Sequence, residues 1–356
     1  MSGAAPGRSV LVVGGTGPTG YAVVRRLLAG GDRVTILHTG AHEVDFGPGG
    51  AEVEHLHTDP SSLADLRTAI AGRTFDVAVA TSGRLRHVVT VLSGRVGRLV
   101  AVTGLPAYTG WQVPVGRLGF SLPLREGDPP TRPLGDLPGD RLSAGVQRGE
   151  RLVAEAEASG AFEAAILRYT MVYGPYAYVP FEWYFVRRVL DGRRTLALEG
   201  DGLMLPQRGY ADNLAAAVLL TMSHPDAAGR TFNVGDEKVL SVAAIASAVA
   251  GALGHSFDVV GVPLSASPCG NPFALRQNTV FDLGAIRALG YRDVLGVVEA
   301  TRRGAVWLAE HPVAPGSAEE RSLGAHAFDY AREDRAVEVY RTALASIGTR
   351  LEEQAS

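Results

Sequence analysis

A short β-branched run, Ser9–Val13, ends in Gly14-Gly15-Thr16-Gly17-Pro18-Thr19-Gly20 and passes directly into a helical pattern, Pro18–Ala29, with Val23, Val24, Leu27 and Leu28 on one face. A strand, a glycine turn and a helix in that order leave few architectures open. Gly14, Gly17 and Gly20 let the backbone turn tightly and approach a pyrophosphate, and the helix start supplies N–H donors and positive potential. Together with Thr16, Pro18 and Thr19 they form a candidate phosphate loop, the opening of a dinucleotide-binding βαβ unit.

The rest of the chain continues the alternation. Residues 33–37, 51–57, 75–80 and 98–103 read as strands, and 61–70 as an amphipathic helix with its N-cap at Asp59 or Ser61. Residues 105–140 are rich in Pro and Gly and show no period. Helices are then expected over 142–159, 179–190, 210–222, 242–253 and 329–353, with strands at 164–168, 231–234 and 257–260. This pattern predicts an α/β fold: a Rossmann-type, doubly wound parallel sheet with a smaller interwoven C-terminal lobe. The expected division is 1–170 mainly dinucleotide-binding, 171–310 mainly substrate lobe with strands returning to the first domain, and 311–356 a C-terminal helical extension.

Composition narrows the function classes. The chain has 356 residues, 46% hydrophobic and 20% charged, as in ordinary globular proteins. A net charge of −3 provides no general attraction for nucleic acid or anionic membrane. The single cysteine, Cys269, cannot form an internal disulfide, and no signal core or membrane-spanning run is present, so a cytoplasmic location is expected. Of 34 cationic residues one is lysine, Lys238, in a turn-like Asp236-Glu237-Lys238. A GxxxxGK[ST] phosphate loop is thereby excluded, and Schiff-base chemistry has one candidate.

Several segments carry a family resemblance. Besides the glycine loop, they are Leu167-Arg168-Tyr169-Thr170-Met171-Val172-Tyr173-Gly174-Pro175, Gly209-Tyr210-Ala211-Asp212-Asn213-Leu214-Ala215, Thr231-Phe232-Asn233-Val234-Gly235 and Leu289-Gly290-Tyr291. In order and spacing they resemble the extended and atypical short-chain dehydrogenase/reductases, the NAD-dependent epimerase/dehydratase group, over about residues 9–310. The resemblance implies a Rossmann domain with a substrate lobe, a nicotinamide cofactor, and an acid/base made by a Tyr-x-x-x-Lys pair with a Ser/Thr after the fifth strand. It also places Asp59 at the adenine, and Thr81, Ser82 and Gly83 at the cofactor ribose.

Two features depart from that pattern. The helix that should carry the pair reads Arg141-Leu142-Ser143-Ala144-Gly145-Val146-Gln147-Arg148-Gly149-Glu150, so Leu142 and Val146, or Ser143 and Gln147, stand at the Tyr and Lys positions. The absence needs no alignment, because the residue four before the only lysine is Val234. The usual catalytic serine falls on Gly104, with Thr103 beside it. Thr103, Tyr108 and Tyr169 are therefore the candidate catalytic residues. Strand two ends in His38-Thr39-Gly40 with no acid before Glu43, so His38 and Thr39 are read as 2′-phosphate ligands and the expectation leans to NADP over NAD.

Substrate contacts are expected from Gln207, Arg208 and Arg276, and from the pair Tyr184 and Arg188 on the helix at the end of an aromatic stretch running from Tyr169 to Phe185. Core packing of the lobe is the alternative for that stretch. His55-Leu56-His57-Thr58-Asp59 has a metal-like HxHxD spacing, but a third sheet strand explains those positions, and no metal is assigned. The expected partner is a small-molecule substrate, with no membrane; a homodimer is left open, and the near-neutral charge argues mildly against nucleic acid. Three functions stay open: an NAD(P)-dependent reductase, epimerase or dehydratase with a relocated acid/base; a non-redox lyase, isomerase or cyclase in the same cleft; and a non-catalytic nucleotide sensor or a relative of the chloroplast stem-loop RNA-binding group.

Overall fold

The computed structural model describes residues 7–81, 85–108, 121–128, 138–263, 270–274 and 277–355. In chain order the elements are β1 (Ser9–Val13), α1 (Pro18–Ala29), β2 (Arg33–His38), β3 (Glu54–His57), α2 (Leu63–Ala69), β4 (Phe75–Ala80), α3 (Leu85–Leu92), β5 (Val96–Gly104), α4 (Pro138–Ala158), β6 (Glu163–Tyr169) and β7 (Met171–Tyr173). There follow α5 (Trp183–Leu190), β8 (Thr195–Glu199), β9 (Arg208–Tyr210), α6 (Ala211–Ser223), β10 (Arg230–Val234), α7 (Val242–Ala252), β11 (Asp258–Val262), α8 (Gly284–Ala288), α9 (Val297–Glu310), α10 (Ala318–Ser322) and α11 (Tyr330–Ala355). Contacts gather into two units. One comprises described residues of Met1–Val172, Gln207–Lys238 and Thr279–Gly296, and the other those of Tyr173–Pro206, Val239–Asn278 and Val297–Ser356.

The first unit is built on a seven-stranded parallel sheet in the order β10-β6-β5-β4-β1-β2-β3. Strand alternation decides which side chain enters which layer. Val10 and Val12 of β1, Val100 of β5 and Leu167 of β6 pack against α1 and α6. Their neighbours Leu11, Val13, Leu99, Ala101 and Ile166 pack against α2, α3 and α4. Both faces are covered, which explains the near-continuous apolar runs of the central strands. The order reverses between β1 and β4, the switch point at which doubly wound sheets open a crevice at their strand ends.

Later segments of the first unit are tied together by buried polar contacts. The Asp236 carboxylate accepts from the Tyr210 backbone N–H at 2.9 Å and from Asn213 Nδ2 at 2.8 Å. Asn213 Oδ1 accepts from the N–H groups of Val294 and Leu295. The Tyr291 hydroxyl lies 3.1 Å from both the Gly235 carbonyl and Asp293 Oδ1.

The second unit contains α5, α7, α9 and α11 and a two-stranded parallel sheet of β8 and β11. Its core answers the question about the aromatic stretch. Trp183, Tyr184 and Phe185 are fully buried, and Phe185 stacks on Phe273 with ring centroids 5.6 Å apart. Arg188 is buried as well: Nη1 donates to the Tyr184 carbonyl, Nη2 donates to Glu333 Oε2 at 2.9 Å, and the guanidinium lies 3.6 Å from the Tyr184 ring centroid. The other Glu333 oxygen accepts from the Ala197 backbone N–H at 3.0 Å, so α5, β8 and α11 meet at one carboxylate.

Several differences from the sequence expectation are local, beside elements it did not anticipate, α3, β8 and α9. Helix α5 begins at Trp183 rather than near 179, because Val179 precedes Pro180 and is pushed out of the helical region. Ser62, not Asp59 or Ser61, caps α2 by accepting from the Asp65 N–H, while Asp59 accepts from the Ser61 N–H in a preceding turn. The front of the strand expected over 51–57 is a short 3-10 turn, Gly50–Glu52. Among the described residues no helix is long and apolar enough to cross a membrane.

Two stability outcomes follow. Arg188→Met leaves the buried Glu333 without its cationic partner and is expected to cost about 3–5 kcal/mol in urea unfolding, whereas Arg188→Met with Glu333→Leu recovers much of that loss. Asp293 is pushed up to about 6, first by burial and then by the charges of Asp236 and Glu237, against the hydrogen bonds it accepts from the Glu237 N–H and the Tyr291 hydroxyl. Its contribution to stability is therefore greatest below its ordinary value of 3.8 and is lost as pH rises through about 6. Relative to Asp293→Asn, the unmodified protein should lose stability between those pH values, measured by urea midpoints across the range.

Candidate functional site

At the end of β1 the loop geometry is set by glycines. Gly14 adopts φ 90°, which favours glycine, and its N–H donates to the Leu37 carbonyl at 2.9 Å. A Cβ on Gly20 would lie 2.1 Å from the Gly14 carbonyl oxygen, so only glycine lets α1 sit this close to the strand end. Gly17 occupies the N-cap of α1 with Pro18 next; no side chain caps the helix, and no acid stands in its first turn. Thr81, at the end of β4, donates its hydroxyl to the Val13 and Gly14 carbonyls, both at 3.1 Å. It fastens the loop base across the switch point. Thr16 is half-buried and Thr19 buried beside it.

A second cluster forms at the ends of β2 and β3. The parallel register sets Ile36 beside His55 and His38 beside His57. His38 Nε2 lies 3.1 Å from His55 Nδ1. Glu43 folds back over the strand ends, 3.4 Å from His55 Nδ1 and 3.1 Å from His57 Nε2. Burial pushes the His38 imidazole below its ordinary value; the Glu43 charge opposes this, and His55 and His57 reinforce it. Thr39 turns its hydroxyl to accept from the Ala41 N–H at 3.3 Å, and Asp59 is engaged with the Ser61 N–H. The structure thus brings His38 together with Glu43, His55 and His57 but leaves Thr39 and Asp59 in local turns.

The third group lies at the ends of β5 and β6. Thr103 donates its hydroxyl to Glu150 Oε1 at 2.7 Å. Arg168 holds the same carboxylate with two hydrogen bonds, Nε to Oε1 at 3.0 Å and Nη2 to Oε2 at 2.7 Å, and Nη1 donates to the Glu126 carbonyl. The guanidinium also lies over the Tyr108 ring at 4.8 Å. Tyr108 is buried, and its hydroxyl donates to Asn233 Oδ1 at 2.5 Å. Burial raises the phenol above its ordinary value, with the Arg168 charge working in the opposite direction. Asn233 is fixed in turn by the Leu124 carbonyl and the Glu126 carboxylate.

Above Thr103 opens a cavity of about 540 Å³, bounded by Leu85 of α3, Val102 and Thr103 of β5, and Leu142, Val146 and Gly149 of α4. Leu142 and Val146 are the residues that one register of the family resemblance sets at the Tyr and Lys positions, and both are apolar. Thr103 is the one of the three candidate catalytic residues on the wall of this cavity.

Tyr169 belongs to the opposite layer of the sheet. It packs in the core under α1 and α6, its buried hydroxyl has no hydrogen-bond partner among the described residues, and burial raises it well above its ordinary value. Gln207 is buried and spent on the fold: Nε2 donates to the Asp236 carbonyl and Oε1 accepts from the Phe281 N–H. Arg208 is buried at β9. Tyr184 and Arg188 are core residues of the second unit, as described above. Lys238 is exposed in its turn. Ser82, Gly83, Arg276 and Cys269 lie outside the described residues.

Glu150 and Arg168 are the site residues that the sequence reading passed over as functional. A signal existed in strand parity: Arg168 alternates with the core residues Leu167 and Tyr169, so it must enter the α4 layer, where a buried guanidinium needs a carboxylate. Glu150 is the acid on α4 at that depth.

Residues 143–235 match the NAD dependent epimerase/dehydratase family. The seven-stranded parallel sheet with its flanking helices is the fold of the epimerases and dehydratases of the extended short-chain dehydrogenase/reductase type. Among solved structures the chain is similar to UDP-N-acetylglucosamine 4-epimerase from Methanobrevibacter ruminantium, with TM-score 0.68 and 16% identity over 86% of this chain and 100% of that one. It is also similar to dTDP-glucose 4,6-dehydratase from Streptomyces venezuelae, solved with NAD bound, with TM-score 0.63 and 22% identity over 85% and 97%. In sequence it is 26% identical over 160 residues to chloroplast stem-loop binding protein of 41 kDa b from Arabidopsis thaliana. That match takes in 44% of this chain and spans only 38% of the relative's length.

Glu150→Ala leaves the largely buried Arg168 charge without its carboxylate and is expected to destabilise the protein by about 3 kcal/mol in urea unfolding. The change should also free the Thr103 hydroxyl and the Tyr108 ring, read as altered near-ultraviolet circular dichroism. An unchanged urea midpoint would show that the pair does not hold the site.

Proposed function

We propose that this chain is an NAD(P)-dependent enzyme of the epimerase, dehydratase or reductase type, acting on a sugar nucleotide or another small carbonyl or hydroxyl substrate through a non-standard active site. The observation that carries the reading is the position of the glycine loop. It stands at the switch point between β1 and β4, with Gly20 packed on Gly14 and with the start of α1 free of a capping side chain, as an anionic pyrophosphate requires. Residues 14–20 would hold the pyrophosphate, with Thr81 bracing the loop. A bound nicotinamide supplies hydride transfer; the protein supplies position and proton handling.

The proton-handling group best supported is Thr103. Its O–H is directed to Glu150, so the oxygen keeps lone pairs for a substrate hydroxyl in the cavity, and Glu150 is the acceptor behind it. Tyr108 is committed to Asn233 and Tyr169 to the far layer, which favours Thr103 over both. The apolar Leu142 and Val146 supply no acid or base. At the ribose end, Glu43 stands over His38. It lies 3.9 Å from His38, the residue read as a 2′-phosphate ligand, so NAD and NADP are both carried forward and the titration below decides between them.

The test begins with fluorescence titration of NADH and NADPH. Failure of both to bind at millimolar levels would end the reading. With UDP- and dTDP-sugars as trial substrates, Thr103→Val should lower turnover by about 100-fold or more with cofactor affinity unchanged, while Tyr108→Phe and Tyr169→Phe keep most of it. Full turnover in Thr103→Val would remove the assignment of that residue.

A second reading rests on the sequence similarity to the stem-loop binding protein, whose name describes RNA recognition. A gel shift with structured RNA at low salt separates it from the first: salt-sensitive binding supports it, and no shift at low salt excludes it.

A further inference from the structure

We propose that His38, Glu43, His55 and His57 form a binding site for one divalent transition-metal ion of the zinc class. The four residues offer one donor atom each, and these atoms all lie within 4.8 Å of one another. Tetrahedral zinc with bonds of about 2.0–2.1 Å sets its donors about 3.3 Å apart. Four contacts fall near that edge: 3.1 Å from His38 Nε2 to His55 Nδ1, 3.4 Å from His55 Nδ1 to Glu43 Oε2, and, to the other carboxylate oxygen, 3.1 Å from His57 Nε2 and 3.9 Å from His38 Nε2 to Glu43 Oε1; the remaining donor pairs lie within 4.8 Å. Three imidazoles with one carboxylate suit zinc, cobalt, nickel or copper; magnesium and calcium take oxygen ligands.

The fold presents these donors for reasons visible in the chain. His55 and His57 are two apart on β3 and share a face, and the parallel register sets His38 of β2 directly beside His57. Glu43 closes the fourth side from the segment after β2. Phe46 lies edge-on to His55 at 6.3 Å and stacks on Tyr21 at 5.7 Å, forming an apolar wall behind the cluster. Asp59, the acid of the HxHxD spacing, stays outside, bound to the Ser61 N–H.

The Gly40 N–H contacts His38 Nδ1 at 3.3 Å, and His38 Nε2 lies 3.1 Å from His55 Nδ1. An ion on Nε2 replaces the contact to His55 and leaves the imidazole proton on Nδ1, so binding also breaks the Gly40 contact. Glu43 is half-exposed, which leaves the ion open to exchange.

The experiment uses the full chain after chelator treatment and buffer exchange, titrated with Co²⁺ and read by visible absorption, with Zn²⁺ measured in competition against a chromophoric chelator. One equivalent of Co²⁺ giving an intense four-coordinate spectrum, displaced by Zn²⁺, is expected. Glu43→Gln and the pair His55→Gln with His57→Gln should each weaken binding by about 100-fold or more, and His311→Gln should leave it unchanged. Zn²⁺ should raise the melting temperature of the unmodified protein and not that of the variants. His57 is exposed, so single His57→Gln keeps the fold, checked by circular dichroism, and serves if the pair does not. The proposal is overturned if the unmodified protein gives no such spectrum, or if folded variants bind as it does. It is also overturned if metal-depleted protein instead binds 2′-AMP in a manner abolished by His57→Gln, which would mark a phosphate subsite. None of these readouts depends on turnover, so failure of the metal site and failure of the enzymatic reading are separable.

Discussion

The pairing of Arg168 with Glu150 is the interaction around which the first unit's site is organised. Two charges almost removed from water are costly unless each meets a well-placed partner. Here the guanidinium grips both carboxylate oxygens and spends a further N–H on the Glu126 carbonyl. The pair sets the direction of the Thr103 hydroxyl on one side and lies over the Tyr108 ring on the other. A lysine at 168 could not hold two oxygens and a carbonyl in one plane.

The segments that resemble the epimerase/dehydratase group are linked in space as well as in order. Arg168 reaches Glu150, and its neighbour in the network, Tyr108, ends on Asn233 of β10. Asp236, just past β10, anchors the start of α6 through Tyr210 and Asn213, and Tyr291 closes on the Gly235 carbonyl. The resemblance is thus largely a resemblance of the supports that bring the strand ends together. On α4, where Leu142 and Val146 line the cavity, the sequence departs from it.

Much of the fold was legible from periodicity. The bounds of β1, α1 and β4 coincide with the patterns in the chain, and β2, β5, β6, β10 and α7 differ by one or two residues at either end. What escaped had weak local signals. Helix α3 is short, with its start beside residues read as cofactor-facing; α9 carries paired arginines that blur its apolar face; β8 is defined by pairing with β11, far along the chain. The N-cap of α2 is Ser62 and not Asp59 or Ser61, because Asp59 takes the Ser61 N–H in the preceding turn and the first free donor of the helix, the Asp65 N–H, falls to Ser62.

By itself the sequence determined that a glycine turn joins the first strand to the first helix and that no Tyr-x-x-x-Lys pair exists in these residues, since both are matters of local order and residue count. Tertiary structure decided which of Thr103, Tyr108 and Tyr169 meets the cavity. Adjacent strand residues enter opposite layers, and only the packed sheet shows which layer holds the opening. It also decided that the third and fourth members of the histidine cluster are His38 and Glu43 and not Asp59. Parallel register joins β2 to β3 across an intervening loop, and spacing along a single strand carries no information about its neighbour.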